Sequence, residues 1–411
     1  MVRRCGLVLV LVLLVSGLMA STAAAEKTKI TMWTFSGGSG AYPKIHEGLL
    51  EELYKAIPEV ELDIQYTADP DKYLVAYTAG VAPDIISMRT SNQAKFIDAG
   101  MMAVLDPKAF GCNSVKELES KLLPGAVETM KYRDGRIYFM ATEISIFGLF
   151  YNKTLMEQAG VGKVPTTWEE MLLVGSKFLR LDAEGKATQT GIYIPRGWIW
   201  PTFTFPALMR GYKAEPLTAD GQPQFSQPNA IKAVEIYPEL FRKLSNNTNL
   251  DWKRGNTAFN WGANYMIADF KNSGLLFDWG AAPLPKFENG VPSTTSYALG
   301  HFVSSQSKNP ELAWRVVAFY TGPETAERWY TEVALWHPWS GAWLERIFRL
   351  EPMHRPFLES LAYALPELSH PRISEINSLL GQAETRIFNG TQSVEMSLQQ
   401  LDSEILAMLA K

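Results

Sequence analysis

The sequence predicts an α/β protein of two lobes. Three observations carry this. Short β-rich runs alternate with helical patterns from the start of the chain. The length of 411 residues exceeds what one hydrophobic core usually serves. No linker, tandem repeat or composition break separates two domains, so the lobes are expected to be built from interleaved segments.

The elements follow in order. Ile30–Phe35 reads as a strand, and Pro43 suits the first position of a helix. Ile45, Leu49, Leu53 and Ile57 then fall on one helical face. The run "VELDIQYT" is a second strand, a short helix is expected near Asp71–Ala79, and "APDIISM" is a third strand. Two strand-like runs share "DGRIYFMATEISIFGLFYNK". A capping box, Thr167 with Glu170, opens a helix in "PTTWEEMLLVGSKFL". Asn309, Pro310 and Gly322 bracket another helix as cap, first turn and stop. In Ser393–Leu409, the residues Val394, Leu398, Leu401, Ile405 and Met408 form one apolar stripe.

The N-terminus reads as an export signal. Arg3 and Arg4 precede an apolar run, Gly6–Leu18, too short to span a membrane comfortably, and Ala23–Ala25 offer small residues for cleavage. Cleavage near Ala25 leaves 386 residues, moves the net charge from −4 to about −6, and leaves Cys112 as the only cysteine. A mildly acidic exported chain with no possible intramolecular disulfide fits a bacterial periplasm and excludes nucleic-acid binding as a role.

Several chemistries fail on spacing. The glycines Gly37, Gly38 and Gly40 are followed by Lys44–Ile45, not by the Gly-Lys-Ser/Thr of a phosphate loop, and Pro43 stands where a dinucleotide fingerprint needs its third glycine. Ser39 has Gly37 two residues before it but Ala41 two residues after, which breaks the nucleophile elbow. The histidines His46, His301, His337, His354 and His370 form no metal-ligand pair, so neither metal nor cofactor is expected. The unusual feature is aromatic. There are twelve Trp, several in polar, Gly/Pro-rich settings, which suits stacking on the C–H faces of sugars while polar side chains meet the hydroxyls. A secreted glycoside hydrolase would share such aromatic subsites, but its two carboxylates have no sequence signature here.

The order of motifs is similar to a known family. "ITMWTFSGG", "AGVAPDIISM", "DGRIYFMATEISIFGLFYNKTLMEQAG", "VPTTWEEML", "TAFNWGANYMIADF", "WGAAPLP" and "SKNPELAWRVVAFYTGPE" run through nearly all of the mature chain. Together they resemble the extracellular solute-binding proteins of bacterial ATP-binding-cassette importers, in the carbohydrate-binding family that includes maltose-binding protein. The resemblance implies two α/β lobes with a hinge and an interlobe ligand cleft. It implies a first lobe of residues 26–140 and 280–322, and a second of 141–279 and 323–411. Crossovers fall near Phe139–Glu143, Phe277–Pro283 and Tyr320–Glu324 on this reading. The implied role is periplasmic capture of a sugar or oligosaccharide by a monomer, with delivery to membrane permease subunits and no catalysis.

The same resemblance places Trp33 and Ser36 in the first cleft loop and Arg89, Ser91 and Asn92 after the third strand. Glu143 falls at the crossover. Arg196, Trp198 and Trp200 supply a second-lobe platform, and Trp261, Phe270 and Trp279 follow. Trp336, His337 and Trp339 in "ALWHPWSG" fall in a late ligand-side loop. Arg89 and Arg196 leave an acidic sugar or a glycerol-phosphate-type ligand open.

Overall fold

Alternating β-branched and apolar residues at the start of the chain build a strand whose Ile30 and Met32 are wholly buried. The computed structural model describes residues 27–35, 40–67 and 69–411. The export segment, Ser36 and the glycines Gly37 and Gly38 lie outside them. The strands are β1 (Thr28–Trp33), β2 (Val60–Gln65), β3 (Ile85–Arg89), β4 (Phe139–Asn152), β5 (Arg180–Leu181), β6 (Ala187–Tyr193), β7 (Thr257–Ala263), β8 (Trp279–Ala282), β9 (Thr295–Val303) and β10 (Leu365–Pro366). They lie in the order β2-β1-β3-β9-β4-β7-β6-β5, with β10 beside β9 and β8 beside β4.

Strand β4 joins the two halves. The sequence suggests two strands in this region; the chain makes one strand of 14 residues. Its first half, Phe139–Ile146, pairs with β9, and its second half, Phe147–Asn152, pairs with β7 and β8. The partner changes at Ile146–Phe147, after a register shift between Ala141 and Glu143. Almost every residue of β4 is buried, as expected for a strand covered on both faces.

Helices cover both sheets. The four-residue apolar spacing from Ile45 to Ile57 is buried throughout, but the chain breaks at Leu49 into α1 (Ala41–Gly48) and α2 (Leu50–Ala56). Gly40 takes the cap position of α1 with φ 70°, which a glycine adopts freely. The capping box at Thr167 and Glu170 forms with both hydrogen bonds. Later helices are α3 (Pro201–Gly211), α4 (Pro310–Thr321), α5 (Pro323–Val333), α6 (Ile373–Phe388) and α7 (Val394–Leu409). Leu398, Leu401 and Ile405 of α7 are fully buried.

Two apolar cores form. The first gathers β1–β3, α1, α4, α5 and the chain as far as Ala364. The second gathers α3, β6, β7, α6 and α7, and takes up the chain again from Leu368. The segment 323–364, expected in the second lobe, therefore packs its Trp329, Trp343 and Phe357 into the first core. Tyr320 and Thr321, expected at a crossover, are buried inside that core. Strand β8 pairs only with the second half of β4, whereas β9 runs from Thr295 at the second core to Val303 in the first.

Candidate functional site

The parallel strands of both halves point their carboxyl ends at one place. On the first side β1 and β3 end at Trp33 and Arg89, and Arg89 is level with Leu299 and, across β9, with Glu143. On the second side β7 ends at Ala263 opposite Phe147, and β6 ends beside it at Tyr193. Carboxyl ends of parallel strands, at the point where the chain changes direction, are where α/β sheets present loops to ligands.

The floor of this junction is polar and buried. Arg89 Nε donates to both oxygens of Glu367 at 3.0 and 2.9 Å, and its guanidinium lies over the rings of Tyr297 and Phe203 at 4.1 and 4.6 Å. Glu367 also accepts from the Thr90 hydroxyl at 2.7 Å and from the Ser91 N–H at 2.9 Å. Glu143 is 5% exposed and accepts from the Ser145 hydroxyl at 2.5 Å. Burial pushes its carboxyl up, against the Ser145 hydrogen bond and the Arg89 charge. Tyr265 is pushed up to about 12, by burial first and by Glu143 second. Asn92 and Trp33 are half-buried beside this floor.

One wall is a loop and a helix. The loop Ile194–Trp200 leaves β6 and enters α3. Trp200 sets its ring edge-on to Phe147 and Phe203, both at 6.0 Å. Trp198 does the opposite: it is 85% exposed. Between Trp198 and α6 lies an open depression of about 780 Å³. Its helical side is Ser374, Asn377, Ser378, Gly381, Gln382 and Thr385, with Arg386 at the end. These positions follow the spacing of one helix face. Asn377 Oδ1 is buried there without a hydrogen-bond partner among the described residues. Arg196 lies 3.4 Å from Glu384, and Arg386 is paired with Glu404 at 3.3 Å.

The remaining expected site residues sit elsewhere. Trp261 is 2% exposed and stacks on Trp168 at 5.1 Å, so it is a core residue of the second half. Phe270 is buried against Phe150, Trp252 and Trp279. Trp279 is half-buried and pairs with Asn152, about 17 Å along β4 from Phe147 at the usual strand rise. Trp336 and Trp339 are buried in the first core, and Trp339 Nε1 donates to the Thr321 carbonyl at 2.5 Å. His337 is wholly buried beside Trp329. The buried tryptophans found enough apolar neighbours to leave solvent, which "ALWHPWSG" and "AFNWGANYM" do not disclose.

Other site residues carry no mark in the reading of the motifs. Glu367 is the acceptor that holds the Arg89 end of β3. Tyr265 and Tyr297 line the floor. The α6 face is the largest omission, and it does have a signal. An outward helix face normally carries Lys, Arg, Asp and Glu. On the face that lines the depression, Ser374, Asn377, Ser378, Gly381, Gln382 and Thr385 are instead small or amide residues without charge, and only Arg386 at the end of the face is charged. Among the described residues, no group of three or more His, Cys, Asp and Glu side chains is placed to hold a metal ion. No helix among them is long and apolar enough to cross a membrane.

The sequence profile of the bacterial extracellular solute-binding proteins matches residues 37–327. A putative binding protein of Brucella abortus (strain 2308) is 24% identical over 325 residues, 73% of each chain. Two of the solved structures that share the fold serve as examples. One is an ABC substrate-binding protein from Listeria monocytogenes in complex with cycloalternan (20% identity, TM-score 0.75, covering 94% of this chain and 100% of that one). The other is the sugar-binding protein MalE from Xanthomonas citri (20% identity, TM-score 0.77, covering 93% and 98%).

Proposed function

The chain belongs to the bacterial extracellular solute-binding proteins, non-enzymatic binding subunits of importers, and from that premise we propose that its solute is an uncharged carbohydrate. The observation that carries this reading is the exposed Trp198 facing an uncharged row of hydroxyl and amide side chains on α6. A sugar ring offers a flat C–H face to an indole and hydroxyls to Asn377, Ser378, Gln382 and Thr385. An aromatic contact adds about 0.5–1.5 kcal/mol beyond burial. A micromolar site needs about −8 kcal/mol in total, within reach of one platform and several hydrogen bonds.

The charges support a neutral ligand over an acidic sugar or a glycerol phosphate. Arg89 and Arg196, the two guanidiniums first suggested for an anion, each lie against a carboxylate whose side chain is 1% exposed, and Arg386, the charged residue lining the depression, is paired with Glu404. The cycloalternan bound by the Listeria neighbour is in keeping with this choice. In this reading Trp33, Ser91, Asn92, Glu143 and Trp200 line the inner end of the cleft. The halves close about three strands of chain: β4 at Ile146–Phe147, the start of β9, and residues 365–368. The mature protein, cleaved near Ala25, works as a monomer in the periplasm and hands its ligand to permease subunits.

The test is a thermal-shift and calorimetric screen of neutral oligosaccharides, uronic acids and glycerol phosphates. At 100 times its dissociation constant a ligand adds about 2.7 kcal/mol of stability. We expect neutral oligosaccharides to bind and to be recovered intact. Binding confined to the anions would overturn the neutral assignment, and a degraded sugar would overturn the binding-protein reading.

A further inference from the structure

The conformation of Trp198 is costly in two ways. Its φ is 45°, a left-handed value that a bulky aromatic rarely adopts, and its indole is 85% exposed, so burial of the ring does not offset the strain. Something outside the side chain must hold it. We infer that Glu384 is a positioning residue that fixes the Trp198 platform at a set angle to the polar face of α6. This rests on the reading of Trp198 as a sugar platform.

Glu384 is wholly buried. Its Oε2 accepts from the N–H of Gly197, the residue before the platform, at 3.1 Å. Its Oε1 accepts from the Tyr237 hydroxyl at 2.5 Å, which roots it in the second core. The Arg196 guanidinium lies beside the same carboxylate and over the rings of Phe388 and Phe241. Among the described residues Arg196 Nε has no hydrogen-bond partner, so Arg196 supplies charge and stacking, and the directed contact to the loop is the Gly197 N–H. Gly197 itself has φ 68°, so two successive residues take left-handed values beside this one acceptor. On its other side the loop meets α6 at Gly381, where an added Cβ would lie 3.9 Å from the Trp198 carbonyl. Glu384 is one turn from Gly381, so a single rigid helix carries both the acceptor that orients the platform and the groups that meet the ligand.

The experiment uses the protein labelled with 5-fluorotryptophan, with the Trp198 fluorine resonance assigned by its loss in Trp198→Phe. We expect a resonance displaced from the free amino acid in the wild type. It should move to the free position in Glu384→Leu, which offers Gly197 no acceptor, and also in Glu384→Asp, which keeps a charge for Arg196 but withdraws it from Gly197. Tyr237→Phe removes a hydrogen bond to the same carboxylate from the core side and should leave the resonance in place. An unmoved Trp198 resonance in whichever Glu384 variant folds would overturn the inference, as would an equal shift in Tyr237→Phe. Affinity is read separately with cycloalternan as probe. A loss of about tenfold in the Glu384 variant, with a melting temperature that does not explain it, supports the positioning role. If none of the neutral oligosaccharides binds the wild type while the resonance moves as expected, the carbohydrate reading fails and the positioning of Trp198 stands.

Discussion

Three buried histidines should make this fold acid-labile well above the range in which carboxylates titrate. His46, His301 and His337 are all wholly buried in the first half. His46 and His301 are 5.6 Å apart between ring centroids, and Trp329 lies against both His46 and His337. His301 Nδ1 shares a hydrogen bond with Ser87 at 2.7 Å; among the described residues its Nε2 and both ring nitrogens of His46 have no partner, and His337 meets only the backbone of Thr321. Burial lowers His46 and His337 to about 3, and lowers His301 well below its ordinary value with help from the two neighbouring rings. Tyr42, Tyr66 and Tyr320 also face His46. The Glu47 carboxylate accepts from the Tyr66 hydroxyl at 3.4 Å.

The sign follows from the direction of these shifts. The folded values lie below the unfolded value of about 6.5, so the unfolded chain takes up protons first. Stability is full above pH 6.5 and is lost as pH falls from there toward 3. At pH 5 His46 and His337 each cost about 2 kcal/mol, about 4 kcal/mol together, and His301 adds to the loss in the same direction. That is a large share of a typical 5–15 kcal/mol. His354, lowered to about 4 by burial, adds to the loss, while Glu143, pushed up by burial, offsets part of it. Urea unfolding at pH 7.5, 6.0 and 5.0 reads the effect. His46→Met fills a similar volume and gives up no side-chain hydrogen bond, so it should remove about one proton from the pH slope. The reasoning is refuted if the urea midpoint is the same at pH 7.5 and 5.0, or if His46→Met keeps the wild-type slope.

Two further substitutions separate structure from binding. Glu367→Ala leaves Arg89 buried without its carboxylate and should cost about 3–5 kcal/mol in urea unfolding. A cost below 1 kcal/mol would mean that the Arg89 pair is not a structural contact. Trp261→Ala removes the ring stacked on Trp168 and should cost about 3–5 kcal/mol while the folded fraction binds sugar as before. Calorimetry at low temperature checks this, and lost affinity at unchanged stability would put Trp261 in the site.

What the sequence discloses depends on whether the signal is local. Periodicity locates β1–β3, the capped helix at Thr167 and the stripe of α7, because each depends on residues within a few positions of one another. The change of partner inside β4 is not local. Nothing between Phe139 and Asn152 marks the point where β9 gives way to β7, because both halves are equally apolar and equally buried. The same limit explains the tryptophans. Indoles suit a core and a sugar platform alike, and the surroundings decide. Trp261 finds Trp168 from a segment 93 positions away. Trp198 is left outside by a backbone turn held from Glu384, 186 positions on. Aromatic count therefore points to the ligand class without picking the residues. A better guide is the pairing of an anomalous helix face with an anomalous aromatic. The uncharged row of α6 has no reason to be uncharged if it meets only water, and Trp198 has no reason to be strained and exposed if it only packs. Each is unexplained alone, and a neutral ligand held between them accounts for both.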